Sequence, residues 1–106
     1  LVNKVLNLRI FNNENGIMNR SLLDSGGGLM VISQFTIMAS TKKGNRPSYI
    51  RAAKHEHAFL LYELFLTTAK MQLGKKVVSG TFGANMEVSL INDGPVTIQI
   101  DSKNKE

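Results

Sequence analysis

A single long helical pattern between residues 52 and 73 constrains the fold more than any other feature of the sequence. Apolar side chains there recur every three or four positions, which places them on one side of a helix. The stripe contains Ala58, Leu61, Tyr62, Phe65 and Ala69, with Leu64 and Leu66 broadening it. Because 106 residues suffice for one domain around such a core helix, we expect a single domain over residues 1–106.

Strand patterns lie on both sides of this helix in the sequence. Residues 8–16 indicate a short strand followed by a dense group of turn formers, and residues 29–37 begin as an unbroken apolar run covered on both faces. Residues 86–91 and 96–101 alternate apolar and polar side chains, and their short joint predicts an antiparallel pair. The chain opens with the spacing of a partial helix, so we predict an α/β fold with one long helix.

The composition excludes several kinds of site. There is no cysteine, so disulfides, thiolate zinc sites and cysteine nucleophiles are ruled out. His55 and His57 are two positions apart, which points them to different sides of a helix, so we expect solvated side chains and no metal. No apolar run approaches the roughly 20 residues that span a bilayer, and we expect a cytoplasmic protein without a cofactor.

The charge is basic: 13 lysines and arginines stand against 8 acidic residues, a formal net charge of +5. A polyanionic partner fits this balance, and so does ordinary solubilising charge. Residues 41–47 form a basic loop that is either a solvated connector or a finger that contacts phosphate. The four residues from Lys103 onward are charged or polar, and we expect a frayed tail.

Two short segments depart from plain strand composition. Residues 33–37 end an apolar strand with polar side chains, and the alternation of a strand places Gln34 and Thr36 on one face, where they can share a pocket. Thr36 is either a nucleophile, for which no adjacent base is apparent, or a strand threonine held by hydrogen bonds. Residues 92–97 contain Gly94-Pro95, and the general preference of X-Pro bonds favours trans there.

Together these two segments resemble the signature motifs of the D-aminoacyl-tRNA deacylase (D-tyrosyl-tRNA deacylase) family in its bacterial form. The likeness continues in family order over nearly the whole chain, at residues 8–11, 18–22, 43–48 and 82–86. Family members carry additional strands upstream of the helix at which this sequence opens. We therefore expect the sequence to be part of a longer natural chain.

The resemblance implies a homodimeric protein with antiparallel and mixed sheets that form a barrel-like core. It also implies hydrolysis of the ester between a D-amino acid and the 3′ end of tRNA, which is the partner. A noncatalytic RNA-binding or assembly module that retains the fold is the alternative, and turnover of the ester separates the two.

The first motif, by this resemblance, forms the catalytic segment. Ser33 lines the pocket for the terminal adenosine and the ester, with Gln34 beside it. Thr36 sits where a nucleophile has been proposed, and the 2′-hydroxyl of the tRNA is the alternative. Backbone amides near Phe35 and Thr36 would then stabilise the oxyanion.

The second motif, by the same resemblance, controls chirality. Gly94 and Pro95, joined by a cis bond, would enter the partner subunit's site and leave no room for an L side chain. Glycine, including glycine mischarged on tRNA-Ala, would pass. Phe82 and Met86 would pack around the terminal adenosine, and plain core packing is the alternative reading of both.

Overall fold

The computed structural model describes residues 1–104, which form short strands and one long helix. In chain order the elements are α1 (Val2–Asn7), β1 (Phe11–Asn12), β2 (Met18–Arg20), α2 (Leu22–Ser25), β3 (Leu29–Val31), a 3₁₀ helix (Phe35–Met38), α3 (His55–Leu73), a second 3₁₀ helix (Gly74–Lys76) and β4 (Val77–Ser79). They belong to two compact units. The first contains residues 1–28 and the segment from Glu87 onward, and the second contains Leu29–Met86.

The first unit contains the partial helix and the turn that the sequence predicts. Helix α1 contacts α2, and its residue Leu6 is fully buried. Strands β1 and β2 pair antiparallel with Phe11 opposite Arg20. The Asn13 side chain accepts hydrogen bonds from two backbone amides of the turn, at 2.9 and 3.0 Å, which fixes the reversal of the chain. The predicted strand at residues 8–11 is shorter than expected, because only Phe11 pairs.

Helix α2 has only four residues and depends on its cap. The Asp24 amide donates to the Ser21 hydroxyl and the Ser21 amide donates to the Asp24 carboxylate, both at 3.1 Å. This reciprocal pair satisfies two amides that the helix itself leaves unpaired. The bond from the Ser21 amide is the main cause that lowers the pKa of Asp24. Gly26 ends the helix at φ 71°, a left-handed conformation that suits glycine.

The second unit is a β-α-β arrangement. Strands β3 and β4 run parallel, with Leu29 opposite Val77, and α3 lies between them in the sequence. Parallel strands require such a crossover, because a tight turn cannot bring the chain back in the same direction. Leu66 and Ala69 of α3 are buried, as is Val77 of β4, and α3 contacts β4. These side chains form the centre of the unit.

The core helix is confirmed, although its buried stripe is narrower than the sequence indicates. It begins at His55, three residues after the predicted start. Leu61 and Leu64 are 53% and 62% exposed, whereas Leu66 is 7% exposed. A sheet only two strands wide covers a narrow part of the helix surface, so the outer leucines lie beyond it. In β3, Met30 is exposed, which contradicts the prediction of a strand covered on both faces.

Three strand predictions were wrong. The apolar run at residues 29–37 pairs only as far as Val31, and the chain then turns into a 3₁₀ helix. Residues 86–91 and 96–101 are not strands. A strand requires hydrogen bonds to a neighbour, and alternation alone does not supply one. The mixed α/β class is confirmed, but the sheets remain separate two-stranded pairs and do not close into a barrel.

The end of the described chain forms a turn. The Lys103 amide donates to the Asp101 carboxylate at 2.9 Å, and the Asn104 amide donates to the Asp101 carbonyl at 3.2 Å. The remainder of the predicted frayed tail, residues 105–106, lies outside the described residues. The single-domain prediction stays a prediction. Across residues 1–104, no helix combines the length and apolar character needed to cross a membrane.

The packing of α3 gives a prediction with its own control. Leu66→Ala removes a buried side chain, and we expect the free energy of unfolding to fall by about 2–5 kcal/mol. Leu64→Ala makes the same chemical change at an exposed position of the same helix, and we expect a nearly unchanged value. Urea unfolding of both variants measures the difference. Equal losses would contradict the assignment of the buried stripe.

Candidate functional site

The first motif leads into a short 3₁₀ helix. Gln34 is extended, with φ −154° and ψ 93°, and Phe35–Met38 then form the 3₁₀ helix. The first amides of a helix have no acceptor within it, so those of Phe35 and Thr36 are left to other partners. The side chains of all three residues are exposed, Phe35 to 60%. The segment can therefore present hydrogen-bond donors to a bound molecule.

Gln34 and Thr36 are brought together as predicted, but by a different geometry. The Gln34 side-chain amide donates to the Thr36 hydroxyl at 2.5 Å. Strand alternation is not the cause, because the segment is not a strand: Gln34 is the residue before the 3₁₀ helix, and Thr36 is the second residue of that helix. The hydroxyl thus accepts a hydrogen bond from a group that cannot take a proton from it.

Ser33 joins the first motif to the segment that carries Phe82. The Gly83 amide donates to the Ser33 hydroxyl at 3.2 Å, across 50 positions of sequence. Gly83 has φ 72° and lies in a turn in which the Ala84 amide donates to the Thr81 carbonyl. The structure therefore brings Phe82 close to Ser33, which belongs to the same motif as Thr36, in one region of the second unit.

Phe82 lies in a cluster of aromatic rings contributed by the start of α3. The ring centroids of His55, Phe59 and Tyr62 lie 5.2, 5.5 and 5.2 Å from that of Phe82. The Tyr62 hydroxyl also donates to the Val31 carbonyl at 3.1 Å, at the end of β3. Helix α3 thus contacts both the end of β3 and the segment that carries Phe82, and Phe82 is half-buried as a result.

Met86 is half-buried and packs against backbone. Its sulfur lies where a side chain at Gly80 would project, and Ile32 of the first segment approaches the same position at 3.6 Å. A larger residue than glycine at position 80 would displace the Met86 side chain. Met86 therefore packs at Gly80, close to the residue that precedes the first motif.

Gly94 and Pro95 belong to the first compact unit. The bond between them is cis, as the resemblance implies and against the general preference for trans. Gly94 has φ 115°, and a β-carbon there would lie 3.3 Å from the Val96 amide nitrogen. The position is therefore suited to glycine.

A basic loop adjoins the first motif. Ser40 and Ser48 form an antiparallel bridge, with backbone hydrogen bonds of 2.8 and 2.9 Å in the two directions, and it closes the loop of residues 41–47. Next to this bridge, the Tyr49 ring meets the Phe35 ring edge-on at a centroid distance of 4.9 Å. Within residues 1–104, no group of three histidine, cysteine or acidic side chains is placed to hold a metal ion.

The sequence of residues 1–101 matches the family described as D-Tyr-tRNA(Tyr) deacylase. The chain belongs to this family. Its deacylase relatives include proteins named D-aminoacyl-tRNA deacylase from Parabacteroides distasonis and Bacteroides fragilis, 59% and 61% identical over 106 residues. Each of these alignments covers 100% of this chain and 71% of the relative.

Structural comparison finds a protein of known structure with the same fold. A solved structure titled c-Myc DNA Unwinding Element Binding Protein superposes with a TM-score of 0.86 at 38% sequence identity. The match covers 95% of this chain and 68% of that one. The α/β fold with one long helix is therefore shared with a protein of known structure.

Sequence reasoning missed the cluster of aromatic rings around Phe82 in this candidate site of the deacylase. His55 was predicted to be a solvated side chain; it is exposed, yet its ring packs on Phe82 and, at 6.4 Å, parallel to Phe59. A signal was present, because His55, Phe59 and Tyr62 recur at intervals of four and three on α3 and so share one face. The apolar stripe alone drew attention to Tyr62 as a core residue and left the other two rings out.

Proposed function

We infer that this chain hydrolyses the ester bond between a D-amino acid and the 3′ end of tRNA, releasing the D-amino acid and free tRNA. The observation that carries this conclusion is the identity of about 60%, over the whole chain, with proteins named D-aminoacyl-tRNA deacylase. The chain is accordingly an ester hydrolase, and we assign its chemistry to hydrogen-bond donors of its own backbone.

The chemistry requires stabilisation of negative charge on one oxygen. Water adds to the ester carbonyl carbon, the carbonyl oxygen becomes an oxyanion, and the bond to the ribose oxygen then breaks as that oxygen takes a proton. We propose that the amides of Phe35 and Thr36 donate hydrogen bonds to the oxyanion. They are the first amides of the 3₁₀ helix, so the helix itself offers them no acceptor. One such donor contributes about 3–4 kcal/mol to the transition state.

The hydrogen bond at Thr36 argues against a nucleophilic threonine. A nucleophile needs a base that takes its proton, and the neighbour at 2.5 Å is the amide of Gln34, which donates. We therefore assign activation of the water to the 2′-hydroxyl of the terminal ribose. Gln34 and Thr36 then position the substrate, with Ser33 holding the adjacent turn.

Phe82 and Met86 complete the adenosine pocket in this proposal. Both are half-buried, and Phe82 is tied to the first motif through the Gly83–Ser33 hydrogen bond. Stacking of a base on an aromatic ring contributes about 1–3 kcal/mol. Two observations support the adenosine-binding role of Phe82: it lies close to the first motif, and its ring is partly accessible to solvent.

Chiral selection is assigned to Gly94 and Pro95 acting in the site of a second copy, so the active form is a homodimer. Exposed apolar side chains on both sides of the pair, including Leu90, Ile91 and Ile98, favour a partner surface there. Steric exclusion of an L side chain leaves glycine acceptable as a substrate. We place the protein in the cytoplasm, where aminoacyl-tRNA is used.

Hydrolysis of D- and L-tyrosyl-tRNA, measured side by side, tests the activity. We expect the protein to release only the D-amino acid, and Gly94→Ala to lose this discrimination, because alanine is strained at φ 115° and crowds Val96. Protection of both esters from spontaneous hydrolysis would instead establish the RNA-binding module. If Gly94→Ala still discriminates between the two esters and the protein sediments as a monomer, the assignment of chiral selection to Gly94 and Pro95 is overturned. The deacylase activity itself would stand.

The source of water activation is tested with Thr36→Ala and a tRNA that ends in 2′-deoxyadenosine. We expect the variant to retain its rate within about tenfold, and the deoxy substrate to lose about 100-fold or more, the usual range for loss of an acid–base group. Thr68→Ala is the control, because it removes an exposed threonine hydroxyl that donates to the Leu64 carbonyl within α3. Loss of activity in Thr36→Ala with normal cleavage of the deoxy substrate would establish the threonine as nucleophile.

A further inference from the structure

The net charge of the chain is concentrated in one short segment. Five cations lie within thirteen residues, and no acidic residue occurs anywhere between positions 25 and 55. They are Lys42, Lys43, Arg46, Arg51 and Lys54. The remaining eight lysines and arginines equal the eight acidic residues in number, so the whole excess of +5 resides here. General solubilising charge would be spread over the surface rather than collected in this way.

The segment is exposed and has a firm base. All five side chains are exposed. The Ser40–Ser48 bridge closes the basic loop of residues 41–47 with two backbone hydrogen bonds, and the Thr41 carbonyl accepts a bond from the Gly44 amide inside it. An anchored loop holds its charges over a fixed part of the surface.

The base of the loop adjoins the proposed catalytic turn. Tyr49, one residue beyond the bridge, contacts Phe35, whose amide opens the 3₁₀ helix. A seven-residue loop closed at its ends reaches about 10 Å from its base. If the terminal ester of a nucleic acid lies at Phe35, the phosphates nearest to that end are therefore close enough for the loop to contact.

We propose that residues 41–47, with Arg51 and Lys54, bind the phosphate backbone of the tRNA acceptor end and thereby deliver the ester to the site. This inference rests on the proposed function for the identity of the nucleic acid. Lysine and arginine contacts to phosphate release counterions and give affinity without reading sequence. The basic loop thus accounts for the attraction of tRNA, and the catalytic turn accounts for the chemistry.

The test compares two double variants in binding of uncharged tRNA at several salt concentrations. Lys42→Ala with Lys43→Ala removes two proposed contacts, and we expect about tenfold weaker binding at low salt and a slope of log Kd against log salt that falls by about 1.4–1.8. Lys70→Ala with Lys75→Ala removes two exposed lysines elsewhere in the same unit and should leave both quantities unchanged. Equal effects of the two pairs, or no effect of the first, would overturn the proposal.

A second measurement separates delivery from chemistry. The D-tyrosyl ester of adenosine has the reacting bond but no phosphate, so its cleavage by Lys42→Ala with Lys43→Ala should match that of the unmodified protein, whereas kcat/KM for D-tyrosyl-tRNA falls about tenfold. Equal losses on both substrates would show that the loop supports the site rather than the tRNA, and would overturn the proposal. An inactive protein whose tRNA binding still depends on the loop would refute the deacylase activity and leave the loop assignment standing.

Discussion

The hydrogen bond from the Gly83 amide to the Ser33 hydroxyl joins the two segments to which we assign the catalytic region. Ser33 follows β3 and Gly83 follows β4, so the parallel pairing of these strands brings the two ends to the same edge of the sheet. Tyr62 of the crossover helix reinforces the joint, because its hydroxyl bonds to β3 and its ring packs on Phe82. The geometry of the site is a consequence of one short β-α-β unit.

The groups to which we assign the chemistry belong mostly to the backbone. An amide at the start of a helical turn is a strong donor wherever the turn is placed, and it does not depend on the identity of its side chain. The Thr36 hydroxyl, by contrast, accepts a hydrogen bond from the Gln34 side chain, which cannot act as a base. The resemblance to the family motif pointed to residues 33–37. The 3₁₀ helix that begins at Phe35 explains how this segment could stabilise negative charge.

The sequence predicted the elements that local pattern determines. The helix at His55–Leu73 follows from apolar spacing, and the reversal between β1 and β2 follows from asparagine and glycine at the turn. It did not predict the 3₁₀ helix at Phe35. The apolar residues continue beyond Val31, so the sequence does not show that the pairing of β3 with β4 ends there. Residues 86–101 show the converse error: alternation indicates which side of an extended segment is apolar, but not whether a neighbouring strand is there to pair with it.

The central claim is that a backbone amide at position 35 stabilises the oxyanion. Phe35→Pro removes this one N–H, at the first position of a helical turn and after an extended residue, where proline fits. Phe35→Ala removes the ring but keeps the amide, and it serves as the matched control. We predict that kcat for D-tyrosyl-tRNA falls about 100- to 1,000-fold in Phe35→Pro relative to Phe35→Ala, at similar thermal stability. Equal rates for the two variants would contradict the account.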